Sequence, residues 1–229
     1  KYGKYVSSNI DTFAADSKST LIYKLSYKED LSDARLIIKQ LGKYEYRKKE
    51  LERQKKLLIN KSDEISLLAL KKLEKFETIG DLDFNYLIIS DGNIRMLELV
   101  PLLPFYDIDP NHIKFIGTGL WDEPSFFDEP SLQGAIFPGV EISKRKKFIN
   151  SYIDLYSIPP TRTATMMYDL AALISFLSIN NKEINQIKIF LQNDNFFIGL
   201  DGNFSIKNNI IERDLSILKI KSGKAILAD

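Results

Sequence analysis

The sequence FNYLIIS at residues 84–90 is a short apolar run that ends at an Asp-Gly pair, which is typical of a turn. A second apolar run, HIKFIG at residues 112–117, follows a stretch with helical spacing, and both runs predict buried strands. Upstream, STLIYKLSY at residues 19–27 alternates apolar and polar residues and predicts another strand. The strand–helix–strand–helix–strand order over 19–117 therefore predicts an α/β protein with a parallel sheet.

Helical spacing covers much of the remaining sequence. Residues 4–17 predict one helix, and the long apolar repeat over 31–77 predicts one bent helix or two abutting helices. Further helices are predicted at Asn93–Leu103, where Pro104 ends the pattern, and at Ile142–Tyr156, Arg162–Leu177 and Lys182–Gln192.

The C-terminal tail predicts antiparallel strands. The sequence DGN at residues 201–203 is typical of a hairpin turn between strands at 196–200 and 204–206. Two closing strands are predicted at 214–220 and 224–227. One more strand is predicted earlier, at Gln133–Pro138.

Composition excludes several classes of function. The 229 residues include 32 basic and 31 acidic side chains, and this balance disfavours nucleic acid as the main partner. The sequence has no cysteine and a single histidine, His112, which argues against disulfides, a zinc site or any other metal centre. No phosphate-binding loop or catalytic motif is present, and no apolar run reaches 18 residues. We therefore expect a protein that is not an enzyme and that holds no cofactor.

Five local motifs, in their order along the chain, resemble the type I periplasmic binding proteins, the fold of the branched-chain amino-acid receptors. They are Tyr2-Gly3, Asp83–Asp91, Phe115–Leu120, the stretch from Tyr152 to Asp169, and Gly199–Phe204. The resemblance covers nearly the whole chain. It implies a three-layer parallel-sheet lobe over 1–138, helices of an incomplete other lobe over 139–195, and antiparallel closing strands over 196–229.

The opening strand–helix–strand unit of that family has no counterpart in the sequence. We therefore expect an N-terminally truncated form of the fold. Helices at 142–178 would then lack part of the sheet that they cover. The expected result is a partly exposed apolar face on the second helix, which carries Met166, Leu170, Leu173 and Phe176.

One branch of the family matches better than the transport receptors. The sequence from Tyr44 to Leu57 resembles a helical insertion of the penicillin-binding-protein activator lipoproteins, and Trp121–Pro124 and Leu132–Phe137 resemble a later segment of the same branch. This resemblance implies a periplasmic protein, lipid-anchored through a missing N-terminus, that contacts a peptidoglycan synthase.

The resemblance also implies where a small ligand would bind. Amino-acid receptors of this fold hold the ligand's ammonium with an acid after the FIG strand, where this chain has Thr118 and reaches an acid only at Asp122. The candidate ligand-binding residues are Tyr2, Ser90, Asp91, Thr118, Trp121 and Asp122. Two alternatives remain open: Tyr2 is a surface or hinge residue, and Trp121 packs in the core.

Basic residues are dense over Lys39–Lys61 and include Arg47, Lys48 and Lys49. They predict contact with an acidic partner surface or an anionic glycan. The alternative is a solvated helix face held by pairs such as Glu52–Lys56.

Two functions follow as hypotheses. The first is a non-catalytic cell-envelope protein that regulates peptidoglycan synthesis through protein contacts. The alternative is the substrate-binding component of a branched-chain amino-acid-type ABC transporter, which binds a small polar ligand and the transporter's membrane subunits.

Overall fold

The computed structural model describes residues 2–17, 23–92, 94–179, 183–193, 195–208 and 210–228. The chain forms two compact units. Unit 1 comprises Lys1–Leu120 and Asp128–Ala135, and unit 2 comprises Trp121–Phe127 and Ile136–Asp229.

Unit 1 is a helical layer around one pair of parallel strands. Its helices are α1 (Tyr2–Ser17), α2 (Ala34–Leu41), α3 (Tyr44–Ile59), α4 (Glu64–Leu73), α5 (Ile94–Leu99) and α6 (Leu102–Phe105). Its strands β1 (Tyr86–Ile88) and β2 (Lys114–Ile116) run parallel, as the sequence predicts. Ile88 lies opposite Ile116, so both strands end at the same edge.

The strand at 84–90 is shorter and more exposed than the apolar run predicts. Tyr86 is 67% exposed and Ile88 is 44% exposed, whereas Phe115 of β2 is 1% exposed. Among the described residues, β1 pairs only with β2, so it forms an edge whose outward side chains meet solvent. The prediction of a buried strand is therefore correct for β2 and wrong for β1.

The strand predicted at 19–27 falls partly on residues 18–22, which lie outside the described residues. Residues 23–27 form no strand. The parallel order predicted over 19–117 is therefore observed for β1 and β2 alone. The predicted helix start at Asn93 also lies outside the described part of the chain.

The prediction of one or two helices over 31–77 is wrong, because the segment forms three. Lys43 adopts a left-handed conformation with φ 46°, which ends the first helical run directly after Gly42. The second break lies at Asn60–Asp63, where the Asp63 carboxylate accepts a hydrogen bond from the backbone N–H of Ser66 at 2.9 Å. Asp63 is thus the N-cap of α4.

Two prolines, Pro101 and Pro104, lie where one predicted helix differs from the structure. The helix expected over Asn93–Leu103 is broken at Pro101, which precedes α6. Pro104 lies inside α6, within its first turn, where the missing N–H leaves no hydrogen bond unmade.

The core of unit 1 forms where α2 and α3 pack near α6. Ile38 is 4% exposed and Leu51 is 3% exposed. The rings of Tyr44 and Tyr106 meet edge to face with centroids 5.3 Å apart. This packing fixes the start of α3, the helix that carries Arg47, Lys48 and Lys49.

Unit 2 contains three helices and two antiparallel sheet segments within the described residues. They are β3 (Ile136–Gly139), α7 (Ile142–Tyr156), α8 (Ala164–Ile179), α9 (Ile184–Gln192), β4 (Phe204–Lys207), β5 (Ile210–Arg213), β6 (Ser216–Lys221) and β7 (Lys224–Leu227). Strand β6 pairs antiparallel with both β3 and β7. The helices and closing strands predicted from the sequence are confirmed, and Lys182 lies outside the described residues.

The hairpin predicted around residues 201–203 is confirmed at one antiparallel pair but does not extend into a ladder. Phe197 and Phe204 form a single antiparallel bridge, and the ladder of β4 runs instead with β5, where Phe204 lies opposite Arg213. The segment between the two phenylalanines is held by side chains rather than by strand pairing, because Asp201 is 1% exposed and bonded to neighbouring polar groups.

Helix α8 is apolar on more than one side, and only part of it is covered. Leu173 and Leu177 are buried with Phe204, against residues of α9. Leu170 is 40% exposed and Phe176 is 49% exposed. The exposure expected for the face with Met166, Leu170, Leu173 and Phe176 is thus found at Leu170 and Phe176, but Leu173 is buried.

Candidate functional site

Two polar clusters, one in each unit, contain the six candidate ligand residues. The first lies at the carboxyl ends of β1 and β2, which is where open parallel sheets bind ligands. Ser90 and Thr118 each follow, by two residues, the matched pair Ile88 and Ile116. The structure therefore brings Ser90, Asp91 and Thr118, three of the residues predicted from the sequence, to one edge of the β1–β2 pair.

The start of α1 reaches the same edge. A side chain at Gly3 would place its Cβ 3.6 Å from the carbonyl oxygen of Ser90 and 3.7 Å from its Oγ. The backbone beside Tyr2 is thus in contact with the residue that follows β1. Tyr2 itself is 43% exposed. Four of the six candidates, Tyr2, Ser90, Asp91 and Thr118, belong to this cluster.

The carboxylate of Asp91 is already engaged by the chain itself. Its Oδ2 accepts a hydrogen bond from the Tyr27 hydroxyl at 2.8 Å, and its Oδ1 accepts one from the Gly92 N–H at 2.7 Å. Arg95 lies 3.5 Å from Oδ1. Burial and then the bond to Asp91 raise the pKa of Tyr27, so its hydroxyl stays a donor. Asp91 is therefore paired before any ligand ammonium arrives.

The hydroxyls of Ser90 and Thr118 remain as the polar groups of this edge. Both residues are half-buried, and Thr118 Oγ1 accepts from the Leu120 N–H at 3.3 Å. Leu120 also packs close to Gly92, where an added Cβ would lie 2.9 Å from Leu120 Cβ. The edge offers hydroxyl groups, which can donate to or accept from a polar ligand.

The second cluster is a buried network of acids and arginines in unit 2. Arg162 donates from Nε to Asp122 Oδ2 and from an Nη to Asp201 Oδ1, each at 2.6 Å. Arg145 donates to the other oxygen of Asp122 and to the Val140 carbonyl oxygen, both at 3.0 Å. The Asp122 side chain is 3% exposed, so two guanidinium groups enclose it.

Burial acts to lower the pKa of Arg162, but the charges of Asp122 and Asp201 outweigh it and the pKa is raised. Arg162 therefore stays charged between the two carboxylates. Thr165 completes the arrangement by donating to Asp201 Oδ1 at 3.0 Å.

The network continues through Asp169, which holds the loop before β4. Its carboxylate accepts from the N–H groups of Leu200 at 2.8 Å and Asp201 at 3.1 Å, and from Arg213 at 2.9 Å. A Cβ at Gly199 would lie 2.6 Å from Asp169 Oδ2, so only glycine fits there. Three carboxylates and three guanidiniums thus balance one another inside unit 2.

Trp121 and Asp122 belong to unit 2, and Asp122 is part of this second cluster. Trp121 is fully buried, at 0% exposure, and Asp122 is bonded to two arginines. Their role in ligand binding stays a prediction, but burial and pairing favour a structural role for both.

Sequence reasoning missed Arg145, Arg162, Asp169, Asp201 and Arg213. One signal was available: Thr165 and Asp169 are polar residues on one side of an otherwise apolar helix, and both are buried. An acid in such a place needs a cationic partner, which the sequence alone does not identify.

The predicted partner-contact residues begin helix α3. Arg47 is half-buried and donates to the carbonyl oxygens of Gly80 at 3.0 Å and Asp107 at 3.4 Å. Lys48 and Lys49 are exposed. The structure therefore separates the three: Arg47 ties α3 to its own unit, and the two lysines face solvent.

Each unit has a surface groove. One of about 260 Å³ in unit 1 runs past Arg47, and one of about 380 Å³ in unit 2 lies over Met167, Leu170 and Leu215. Across the described ranges, no three His, Asp or Glu side chains come together as metal ligands. None of the described helices is both long and apolar enough to cross a membrane.

Comparison with known proteins identifies the fold. An extracellular ligand binding receptor from Desulfohalobium retbaense superposes with a TM-score of 0.50 and 13% identity, over 72% of this chain and 29% of that one. A protein described as a branched-chain amino acid ABC transporter from Rhodospirillum rubrum gives a TM-score of 0.49 and 17% identity, over 58% of this chain and 42% of that one. No family model and no curated protein matches the sequence.

The fold is that of the type I periplasmic binding proteins, an α/β architecture with parallel and antiparallel strands. The chain spans less than half the length of either structure. The printed name of the Desulfohalobium protein describes it as an extracellular ligand binding receptor, and at 13% identity its likeness to this chain concerns the fold.

Proposed function

We propose that this protein is a non-catalytic component of the cell envelope, of the penicillin-binding-protein activator kind, which regulates peptidoglycan synthesis by contacting a synthase. It works in the periplasm and is lipid-anchored through its N-terminal side. The observation that carries the proposal is that Asp91 and Asp122, the acids among the candidate ligand residues, are already paired within the chain. Asp91 is bonded to Tyr27 and approached by Arg95, and Asp122 lies between Arg145 and Arg162.

Paired acids make poor anchors for the ammonium of an amino acid. An ammonium that binds Asp122 has to displace a guanidinium, which then loses its partner inside unit 2. At Asp91 it has to compete with a neutral phenol and with Arg95. An amino-acid receptor gains much of its affinity from an acid that is unpaired until the ligand binds.

We propose the start of α3 as the contact with an acidic surface on the synthase. Lys48 and Lys49 are exposed there on a helix whose base is fixed by Arg47 and Tyr44. A rigid helix with exposed lysines steers an acidic partner at low ionic strength.

The test is a pull-down of a peptidoglycan synthase with purified protein at two salt concentrations. The double variant Lys48→Glu, Lys49→Glu should lose the synthase, and the wild-type complex should weaken as salt rises. The matched control is Lys146→Glu with Lys147→Glu, two exposed lysines of α7. Arg47 is left unchanged because it holds the chain's own carbonyl groups. Retention of the synthase by the Lys48, Lys49 variant would contradict the proposed contact.

The second candidate is a small-ligand binding protein of an amino-acid transporter. It is favoured by Tyr2, Ser90 and Thr118, which lie at the carboxyl edge of β1 and β2. Saturable binding of a branched-chain amino acid, abolished by changes at Ser90 and Thr118, would establish it instead.

A further inference from the structure

The antiparallel pair formed by α3 and α4 exposes aliphatic side chains beside its connecting turn. We call this surface the hairpin tip; it consists of Leu57, Ile59, Ile65, Leu67 and Leu68, with exposures of 58%, 66%, 80%, 52% and 62%. The usual burial pattern of an amphipathic helix is reversed at the start of α4: the polar Ser66 is 7% exposed, whereas its apolar neighbours Ile65 and Leu67 are exposed. The aliphatic side chains face outward while the polar one is inside.

Charged side chains of both signs flank the hairpin tip. Lys56 and Lys61 lie before and in the turn, and Asp63 and Glu64 follow, all exposed. Lys71 and Lys72 lie in the last turn of α4 and are exposed too. None of the four lysines makes an ion pair with another described residue. Over residues 53–75 the chain carries seven basic and three acidic side chains, so the net positive charge belongs to the helical hairpin as a whole and not to its turn.

We infer that the hairpin tip docks on an anionic phospholipid surface. The aliphatic side chains enter the boundary between headgroups and acyl chains, and the lysines lie against the phosphates. The helices keep their own backbone hydrogen bonds, and the polar turn at Asn60–Asp63 stays in the headgroup layer.

The composition favours a lipid surface over a protein partner. Lysine is depleted from protein interfaces, and leucine is under-represented among the residues that dominate their binding energy. Lysine with leucine or isoleucine is instead typical of helices that lie on membranes. The hairpin tip is also distinct from Lys48 and Lys49, so this inference does not depend on the proposed synthase contact.

The absence of cysteine from the chain allows a site-specific test. Ile65→Cys carries an environment-sensitive fluorophore, and Ile198→Cys, at a position 95% exposed in unit 2, is the matched control. The full chain is titrated with vesicles of phosphatidylcholine alone, or with about 30% phosphatidylglycerol, the level of charge that polybasic segments detect. The label at residue 65 should shift to the blue with anionic vesicles only, and the control label should not respond.

Charge and apolar variants separate the two contributions. Each lysine near an anionic surface contributes about five-fold in binding, so Lys56→Glu with Lys61→Glu should reduce vesicle binding at least about 30-fold. Leu57→Ser with Leu68→Ser should also release the protein. Lys146→Glu with Lys147→Glu, and Leu155→Ser with Ile158→Ser, are the controls and should bind normally.

Three results would overturn the inference. They are a label at residue 65 that does not respond to anionic vesicles, equal binding to neutral vesicles, and binding that the tip variants leave unchanged. A label that responds to an acidic polypeptide but not to vesicles would assign the hairpin tip to a protein partner instead. Circular dichroism confirms that each variant is folded, and residue exposure makes that the expected result.

Discussion

The Nε atom of Arg162 lies 2.6 Å from Oδ2 of Asp122, and in this ion pair the Asp122 side chain is 3% exposed and that of Arg162 is 21% exposed. The relationship decides how Asp122 is interpreted. In sequence it is the first acid after the FIGTGL segment, the place from which a receptor of this fold would reach its ligand. In the structure it joins Arg162 and Arg145 and is 3% exposed.

Removing the Asp122 carboxylate should destabilise the protein strongly. Asp122→Ala leaves Arg145 and Arg162 charged and without this partner in a buried place, and broken buried pairs cost about 3–5 kcal/mol of unfolding free energy. Urea denaturation of the full chain measures the loss of unfolding free energy. Asp154→Ala, on the exposed face of α7, is the control and should change stability by less than about 0.5 kcal/mol. A fully stable Asp122→Ala would mean that the carboxylate serves another purpose, such as binding a ligand.

Two neighbouring residues of α8 should differ widely in their effect on stability. Leu173 is 8% exposed and packs with Leu177 and Phe204, so Leu173→Ala should cost about 2–5 kcal/mol. Ile174 is 55% exposed, so Ile174→Ala should cost less than about 1 kcal/mol. Denaturation midpoints of the two variants give the comparison. Equal losses would show that the outer face of α8 is covered in solution.

The bond between Tyr27 and Asp91 should appear as a dependence of stability on alkaline pH. Burial and Asp91 raise the pKa of Tyr27 in the folded protein above its ordinary value of about 10. The stabilisation is therefore complete below pH of about 10 and is lost as pH rises through the folded value, because the unfolded chain ionises first. Tyr27→Phe should lack this loss.

Melting temperatures of wild type and Tyr27→Phe between neutral pH and pH of about 11 measure the effect. The difference in melting temperature between wild type and Tyr27→Phe should narrow as pH rises, because the melting temperature of the wild type falls more. Parallel curves would show that Tyr27 is not bonded to Asp91, and Asp91 would then be open to a cationic ligand.

The sequence predicted most helices correctly because their apolar spacing is regular and their ends are marked. Helix α7 has the predicted bounds, Ile142–Tyr156, and β6 and β7 close around Ser222-Gly223, where both residues take positive φ. These features depend on local chemistry, which a single sequence contains.

The errors come from places where tertiary contacts decide. Gly42 marks the end of α2, but no residue type signals that Lys43, and not the glycine, takes the left-handed conformation before Tyr44 packs on Tyr106. The hairpin around 201–203 pairs only at Phe197 and Phe204, and Asp201 beyond that pair is held by Arg162 and Thr165, 39 and 36 residues away in sequence. Side-chain partners at such separations are not visible in a pattern.

The candidate site also contains features that local sequence predicts and features that only tertiary contacts determine. The carboxyl ends of β1 and β2 follow from the strand pattern, so the position of Ser90 and Thr118 after these strands could be predicted, whereas their role in ligand binding stays a prediction. The pairing of Asp91 with Tyr27 depends on a segment whose strand prediction failed, so the state of that acid was not predictable.

We propose that the chain contacts another protein and does not bind an amino acid. The sharpest test is isothermal titration of the purified protein with leucine, isoleucine and valine, at up to about 1 mM free ligand. We expect no saturable heat, because Asp91 and Asp122 are already paired. Saturable binding with a micromolar dissociation constant, lost when Ser90 and Thr118 are replaced by alanine, would contradict it.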